Sequence, residues 1–178
     1  MTTMKHFAPH YLLPITILFL LTPRSYAQTL INRICLQTSD YWFCQETFNK
    51  HIYTPGMGIK GLTQIAITQT LIEATDTKIF ISRAMQSEKN VELQNLYKQC
   101  ETGYGDLVDL FTDAKFDFAR EDYRNMLNDV GICERFVTDC QNVMNNKVPQ
   151  LSVRNAHNRV LVQMSIISGQ ILTTERMK

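Results

Sequence analysis

Apolar residues recur every three or four positions along most of the chain, which is the spacing of helices with one buried face. The clearest series lies on either side of a polar turn at residues 120–122. Before the turn the positions are Leu93, Leu96, Tyr97, Cys100, Tyr104, Leu107, Phe111, Ala114 and Phe118, and after it Met126, Val130, Cys133, Phe136, Val137, Cys140 and Met144. The pattern predicts two antiparallel helices, the second with Asp122 as its N-cap and an end near Asn146.

Two further segments have the same period and no segment reads as a strand. One helix is predicted from about Leu62 to Met85, and another from about Leu151 to Leu172, after Pro149 stops the preceding helix. The predicted inner faces are Leu62, Ile65, Ala66, Ile72, Ile79 and Met85 in the first, and Val153, Ala156, Val160, Leu161, Met164, Ile167 and Ile171 in the second. Short connections make sequence neighbours antiparallel, so we expect an all-α, up-down-up-down four-helix bundle.

A smaller apolar unit, residues 28–51, comes before the bundle and carries Cys35 and Cys44. Ser39-Asp40 between the cysteines has the composition of a turn or cap. We expect two short helical arms tied by a Cys35–Cys44 disulfide, since helices this short are marginal on their own. The aromatic cluster 41–43 is expected to be core, and the glycine-rich segment 54–61 is expected to be a linker.

The first residues have the pattern of a secretion signal. Lys5 precedes an apolar run at 11–21, and the small residues Ser25 and Ala27 fit a cleavage site before Gln28. A membrane-spanning helix needs about 20 apolar residues, which this run does not supply. We therefore expect a signal peptide at 1–27, one mature domain at 28–178, and an extracellular protein with no membrane anchor.

The mature part would contain five cysteines, enough for two disulfides and one free thiol. Cys133 and Cys140 are seven positions apart on one helix, about 10.5 Å along its axis, too far to pair with each other. Cys100 and Cys140 lie twenty positions either side of the turn near Arg120, which favours a Cys100–Cys140 bridge. Cys133 is then expected to be a buried free thiol.

Composition and motifs do not favour catalysis. The chain has 18 Lys and Arg against 17 Asp and Glu, and the segment 1–27 would remove two bases and no acid, so no nucleic-acid surface is indicated. His51 and His157 belong to no catalytic or metal-binding motif, and no cofactor is expected. The residues Asp106, Asp109, Asp113 and Asp117 are expected to form a solvated acidic stripe. A binding module is therefore favoured over an enzyme.

The order and spacing of several short motifs resemble the plant invertase and pectin methylesterase inhibitor family. The matching segments are Cys35-Leu36-Gln37-Thr38 with Cys44, Gly61-Leu62 with Ile65-Ala66-Ile67, Cys100 with Tyr104, Asp122-Tyr123 before Cys140, and Arg154-Asn155 before Ile166-Ile167. The resemblance implies a four-helix bundle with an N-terminal hairpin and the two bridges already described. It also implies a cell-wall (apoplastic) protein that binds a plant carbohydrate enzyme and blocks its cleft.

Two target enzymes are implied by the resemblance, each bound one to one. Invertase inhibitors tend to carry Pro-Lys-Phe where this chain has Tyr123-Arg124-Asn125, so pectin methylesterase is favoured and invertase is the alternative. A non-inhibitory recognition or signalling module on the same bundle is a further alternative. The contact residues that the resemblance implies are Gln99, Tyr104, Leu107, Asp139 and Asn142, with Tyr123 and Arg124 at the turn.

Overall fold

The computed structural model describes residues 26–54 and 56–176, and these residues are mostly helical with no strand among them. The apolar run of the expected signal peptide lies outside this part of the chain. Residues 26–35 are helical (α1), and the helices that follow are α2 (Tyr41–His51), α3 (Ile59–Ser87), α4 (Val91–Ala119), α5 (Tyr123–Gly131), α6 (Cys133–Met144) and α7 (Pro149–Arg176). None of the helices in the described ranges is long and apolar enough to cross a membrane.

Helices α3 to α7 form the predicted bundle. Helix α3 packs against α4 and α7, and both α5 and α6 pack between α4 and α7. One buried apolar cluster runs through all of them and includes residues of the α1–α2 hairpin. The expectation of an all-α bundle with an N-terminal helical hairpin is confirmed.

Short polar side chains begin three of the helices. Asp40 accepts a hydrogen bond from the Phe43 amide at the start of α2, and Asn90 accepts from two amides of α4. Asp122 accepts from the Asn125 amide, as expected for the N-cap of α5. These contacts satisfy backbone donors that have no partner within the helix.

The second arm of the predicted helical pair is two helices rather than one. Helix α5 ends at Gly131, Ile132 lies between the helices with φ −95° and ψ −9°, and α6 begins at Cys133. The Arg135 amide bonds to the Ile132 carbonyl, a tighter step than that of an α-helix. The apolar spacing continues across the break, with both Val130 and Cys133 buried, so periodicity alone did not reveal it.

The inner face of α3 was predicted partly wrongly. Ile72 and Ile79 are 50% and 43% exposed, whereas Thr63, Thr70 and Thr77 are fully buried. Thr63 and Thr70 donate their hydroxyl hydrogen to the carbonyl four residues earlier, so these polar groups are satisfied inside the helix. These three threonines are therefore part of the core face of α3.

Helix α7 also differs from its prediction. Val153 is 56% exposed and Ala156 is exposed, while Asn155, Asn158 and Ser165 are buried. Pro149 begins the helix rather than only ending the one before, because a first helical residue needs no amide hydrogen. The helix continues past its predicted end at Leu172 as far as Arg176, whose side chain contacts Glu121.

The α1–α2 hairpin is closed by the Cys35–Cys44 disulfide and packs on α7. The ring of Phe43 stacks on that of His157, with centroids 4.2 Å apart, and the Ser39 amide donates to Gln163 Oε1 at 2.8 Å. Trp42 is 78% exposed, so the expectation that the whole 41–43 cluster is core is wrong for this residue. Its side chain points away from the face that contacts the bundle.

Candidate functional site

The second disulfide joins α4 to α6 at Cys100 and Cys140, whose Cα atoms are 4.7 Å apart. Both cysteines are buried. Cys133 is the buried free cysteine, and its thiol donates to the Asp129 carbonyl at 3.2 Å. Burial, with the nearby charge of Asp129, raises the pKa of the Cys133 thiol to about 12. A thiol with such a pKa is a poor nucleophile near neutral pH, so Cys133 is not a catalytic candidate.

Asn155 of α7 fixes the surroundings of this bridge. Its Oδ1 accepts a hydrogen bond from the Tyr104 hydroxyl at 2.8 Å, and its Nδ2 donates to Gln141 Oε1 at 2.9 Å. The same Nδ2 lies 3.7 Å from Cys140 Sγ. Burial raises the pKa of Tyr104 well above its ordinary value, so its hydroxyl stays protonated and remains a donor. The amide thus links α4, α6 and α7 at one level of the bundle.

Three of the expected contact residues lie in the exposed region beside the bridge: Gln99, Asp139 and Asn142, which we call the bridge surface. Gln99 and Asp139 each precede a bridged cysteine, and Asn142 follows Cys140 by two positions. None of the three makes a side-chain hydrogen bond within the described chain. The bridge surface therefore has polar groups available to a partner on a rigid base.

The other expected contact residues do not lie on the bridge surface. Tyr104 and Leu107 are fully buried and Tyr123 is 5% exposed, so none of them can form a direct contact, and that expectation is corrected. All three belong to the buried apolar core of the bundle. Arg124 is exposed, but it is the second residue of α5 and lies beyond the far end of α4, which is about 30 Å along that helix from Gln99.

A groove of about 470 Å³ borders the bridge surface on the other side of α6. It lies between α6, α7 and the α1–α2 loop. Its lining includes Ser39 and Asp40 from the loop, Thr138 and Asn142 from α6, and Ala156 and His157 from α7. This groove was not predicted from the sequence, because its polar residues are spread over three distant segments.

The remaining candidates form no catalytic or metal site. Asp106, Asp109 and Asp113 are exposed as expected, but Asp117 is 7% exposed and pairs with Arg120, which corrects its place in the stripe. Burial, then the charges of Asp117 and Asp113, raises the pKa of Asp129. In the part of the chain that the structure describes, no three His, Cys, Asp or Glu residues are grouped to hold a metal ion.

Sequence reasoning overlooked Asn155 as a functional residue. The missed signal is an asparagine on a stripe of buried α7 positions that step by four and three residues: Leu151, Asn155, Asn158, Val162, Ser165, Gly169 and Leu172. A polar residue at such a position must have a partner inside the bundle, because burying an unpaired amide is costly. For Asn155 the partners are Tyr104 and Gln141.

Comparison with known proteins agrees with this arrangement. The model of the plant invertase/pectin methylesterase inhibitor family matches residues 29–171. A mutant form of a pectin methylesterase inhibitor from Arabidopsis has a similar structure, with a TM-score of 0.71 and 15% identity over 78% of this chain and 93% of the other. A second such inhibitor, from Arabidopsis thaliana, has a TM-score of 0.62 and 18% identity over 81% and 96%.

Identities of this size show a shared fold only, and no curated sequence matches the chain. The family model, in contrast, spans both disulfides, the N-terminal hairpin from residue 29 and nearly all of the bundle. On that match, the chain belongs to the plant invertase/pectin methylesterase inhibitor family.

Proposed function

We propose that this protein is a secreted inhibitor that binds a plant pectin methylesterase one to one and occludes its substrate cleft. The observation that carries the proposal is the family match over residues 29–171. The family is one of inhibitors rather than enzymes, and the two similar structures are described as pectin methylesterase inhibitors. A rigid bundle with an exposed polar surface over a disulfide suits such a role, because a pre-organised surface loses little entropy on binding.

Titration against plant pectin methylesterase at mildly acid pH tests the inhibitory activity. Cell-wall and vacuolar invertases are titrated in parallel, because the alternative target is an invertase. Loss of esterase activity at a one-to-one ratio supports the proposal, and loss of invertase activity alone supports the alternative. If neither enzyme loses activity at micromolar protein, a non-inhibitory recognition module is the better description.

Secretion is part of the proposal and has its own test. We expect the segment 1–27 to be removed, leaving a mature domain 28–178 in the apoplast. Two disulfides in the described chain are consistent with an oxidising compartment. N-terminal sequencing of the protein recovered from wall fluid should begin at Gln28, and a chain that keeps residues 1–27 would contradict the assignment.

Asp139→Lys tests whether the bridge surface contacts the enzyme. Asp139 is exposed and has no ion-pair partner in the described chain, so the reversal should leave the thermal midpoint unchanged. Reversing a charge in an interface costs on the order of 1.4 kcal/mol or more, so we expect Kd to rise about tenfold or more.

The matched control for this charge reversal is Asp76→Lys. Asp76 is exposed on α3, which makes no contact with α6. It should leave both Kd and the thermal midpoint unchanged. Equal weakening by the two variants would indicate a general electrostatic effect, and unchanged binding by Asp139→Lys would place the contact elsewhere.

A further inference from the structure

The groove between α6, α7 and the α1–α2 loop has the features of a small-ligand site. Its volume of about 470 Å³ is within the range of about 300–1,000 Å³ found for such sites. Apolar groups from Val137, Ala156 and Val160 line one part of it, and amides and hydroxyls surround them. This combination of an apolar area and several hydrogen-bonding groups is typical of a site that orients a ligand.

The walls of the groove are held by contacts of their own. The Ser39 amide on the loop donates to Gln163 Oε1 at 2.8 Å, and the Gln163 Nε2 donates to Glu134 Oε1 at 2.8 Å. Arg159 also donates to Glu134, at 2.9 Å. The loop, α6 and α7 are therefore connected by side chains without a ligand, so the groove is pre-formed.

Three polar side chains in the groove are left without hydrogen-bond partners in the described chain, those of Ser39, Asn142 and His157. Asn142 is exposed at the edge. The His157 ring is half-buried and held parallel to Phe43, at an interplanar angle of 11°, while its two nitrogens make no hydrogen bond. The stacking on Phe43 holds the His157 imidazole in place and its nitrogens are free. It can therefore form a hydrogen bond with a ligand that enters the groove.

The charges in the groove decide the class of ligand. Arg159 is neutralised by Glu134, and the remaining acid, Asp40, accepts a hydrogen bond from the Phe43 amide. There is no unpaired cation in the lining to attract an anion. The amide, hydroxyl and imidazole groups that line the groove can both donate and accept hydrogen bonds. They therefore match a ligand with several neighbouring hydroxyl groups, because each hydroxyl also donates and accepts.

We propose that this groove binds a neutral saccharide unit of one or two rings, with an apolar ring face against Ala156 and hydroxyl groups on Asn142 and His157. The groove shares Asn142 with the bridge surface, but binding of a sugar in it does not require that the protein inhibits an esterase. The unit could be a free disaccharide or the end of a longer chain, since both present the same hydroxyl groups.

The test is to titrate isotope-labelled protein with cellobiose, lactose and cellopentaose and to monitor the amide chemical shifts by NMR. Sodium galacturonate serves as the charged comparison. We expect saturable shifts confined to α6, α7 and the α1–α2 loop, with Kd on the order of 1 mM for at least one neutral sugar. Stronger binding of cellopentaose than of cellobiose would identify a chain end as the preferred source.

Variants separate the groove from non-specific binding. Ala156→Trp fills the groove from an exposed helix position and should weaken binding at least tenfold, and His157→Phe keeps the ring stacking but removes the nitrogens. The matched control is Val153→Trp, on the same helix at a residue that is 56% exposed and does not line the groove. It should bind normally.

Several results would overturn the proposal. These are the absence of saturable shifts at about 50 mM neutral sugar, tighter binding of galacturonate than of any neutral sugar, or normal binding by a folded Ala156→Trp variant. If Ala156→Trp does not fold, unaltered binding by His157→Phe has the same meaning. Each measurement uses the protein alone, so the result does not depend on any enzyme being inhibited.

Discussion

The Asn155 side chain has a defined orientation because its two ends have different partners. Its oxygen accepts from Tyr104 and its nitrogen donates to Gln141. An aspartate would keep the first contact and lose the second, and a leucine would lose both. The identity of this residue is therefore set by two helices at once, although nothing in its own segment of sequence requires an amide.

Tyr104→Phe tests the value of the Tyr104–Asn155 hydrogen bond. The substitution keeps the ring and leaves the Asn155 oxygen buried without its donor, so we expect a loss of about 1–3 kcal/mol in the free energy of unfolding. Urea denaturation followed by circular dichroism measures it. Tyr97→Phe is the control, because the Tyr97 hydroxyl has no hydrogen-bond partner in the described chain and should cost less. Equal losses would mean that the bond is not a net stabilising contact.

At the residue scale, prediction was good for the cysteines and for most apolar positions, and poor for buried polar residues and for the exposed apolar residues Ile72, Ile79 and Val153. The pairing of Cys100 with Cys140 could be predicted because both lie twenty positions from the turn and so at the same level of the two antiparallel arms. A disulfide requires such a short distance between the two Cα atoms. Leu107 was predicted to contact the enzyme because of the family resemblance. Its place in the apolar series of α4 instead indicates a buried residue, and Leu107 is buried. Thr70 was not predicted as core because its hydroxyl partners, Ala66 and Ser165, are set by folding.

At the scale of elements, α3 and α7 meet along a line of small and polar residues. Thr70 lies 3.1 Å from Ser165, oxygen to oxygen, and the Asn158 amide donates to Thr77 Oγ1 at 3.0 Å. The side chains of Thr70, Ser165 and Asn158 also donate to the backbone carbonyl four residues earlier in their own helices. The Asn158 carbonyl oxygen is buried and has no partner in the described chain. The α3–α7 contact is thus stabilised by packing of small groups and by paired polar atoms together.

Gly131→Ala tests the end of α5. Nothing lies within 4 Å of a Cβ placed there, and the residue has no positive φ, so an alanine fits without strain. Removing glycine from a helix gains about 0.5–1 kcal/mol through the entropy of the unfolded chain. We expect the free energy of unfolding to rise by that amount, as measured by chemical denaturation.

Gly169→Ala provides the matched comparison within α7. A Cβ at Gly169 would lie 2.7 Å from the Met126 Cε and 2.9 Å from the Leu127 Cδ2, so α5 side chains would have to move. The gain in helix propensity is then offset by repacking, and the variant should be less stable than Gly131→Ala. Equal gains would show that the α5–α7 contact is loose enough to absorb a methyl group.

Helices were predictable to within a few residues at this scale, because long amphipathic segments repeat one period many times. The first apolar position of the α4 series is Leu93 and the helix begins at Val91, and α3 was placed at Leu62 and begins at Ile59. The division between α5 and α6 was not predictable, because Ile132 interrupts the hydrogen-bond ladder without changing the apolar spacing. The buried face of α7 is determined by the helices that pack against it, so it could not be predicted from the sequence of α7 alone.

For the whole molecule, the two disulfides should contribute unequally. Cys35 and Cys44 are nine positions apart, and Cys100 and Cys140 are forty apart. A longer closed loop restricts the unfolded chain more, so removal should cost about 2.5 kcal/mol for the first bridge and about 4 kcal/mol for the second. Urea denaturation of the Cys35→Ala/Cys44→Ala and Cys100→Ala/Cys140→Ala pairs measures the two values. A larger loss for the first pair would mean that the hairpin, rather than the bundle, limits stability.

Three helices meet at Glu121, in the turn between α4 and α5. Its carboxylate accepts from Lys60 of α3 at 2.5 Å and pairs with Arg176 of α7, whose guanidinium also lies over the Tyr123 ring. The hydrogen bond and charge of Lys60, then the charge of Arg176, lower the pKa of Glu121. The contacts are exposed, so they are expected to be weakened by salt.

Glu121→Gln tests these contacts through the pH dependence of stability. A carboxyl whose pKa is lowered in the folded state stabilises it above the unfolded pKa of about 4.3, and that contribution is lost as the pH falls. The thermal midpoint should therefore be lower than wild type at pH 7, with the difference shrinking below about pH 4. Glu175→Gln, at an exposed neighbouring site, should show no such convergence. A constant difference across pH would refute an ionic origin.

The polar line between α3 and α7 also has a consequence for which alignment of the two helices is allowed. If α3 slid by one turn along α7, Thr77 would leave Asn158 and Thr70 would leave Ser165, and the Asn158 amide would lose its inter-helix acceptor. Leucine pairs would tolerate such a displacement far better, because their attraction is not directional. The polar line therefore favours one alignment of α3 against α7 and penalises alignments shifted by a turn, a specificity that the disulfide between α4 and α6 does not supply.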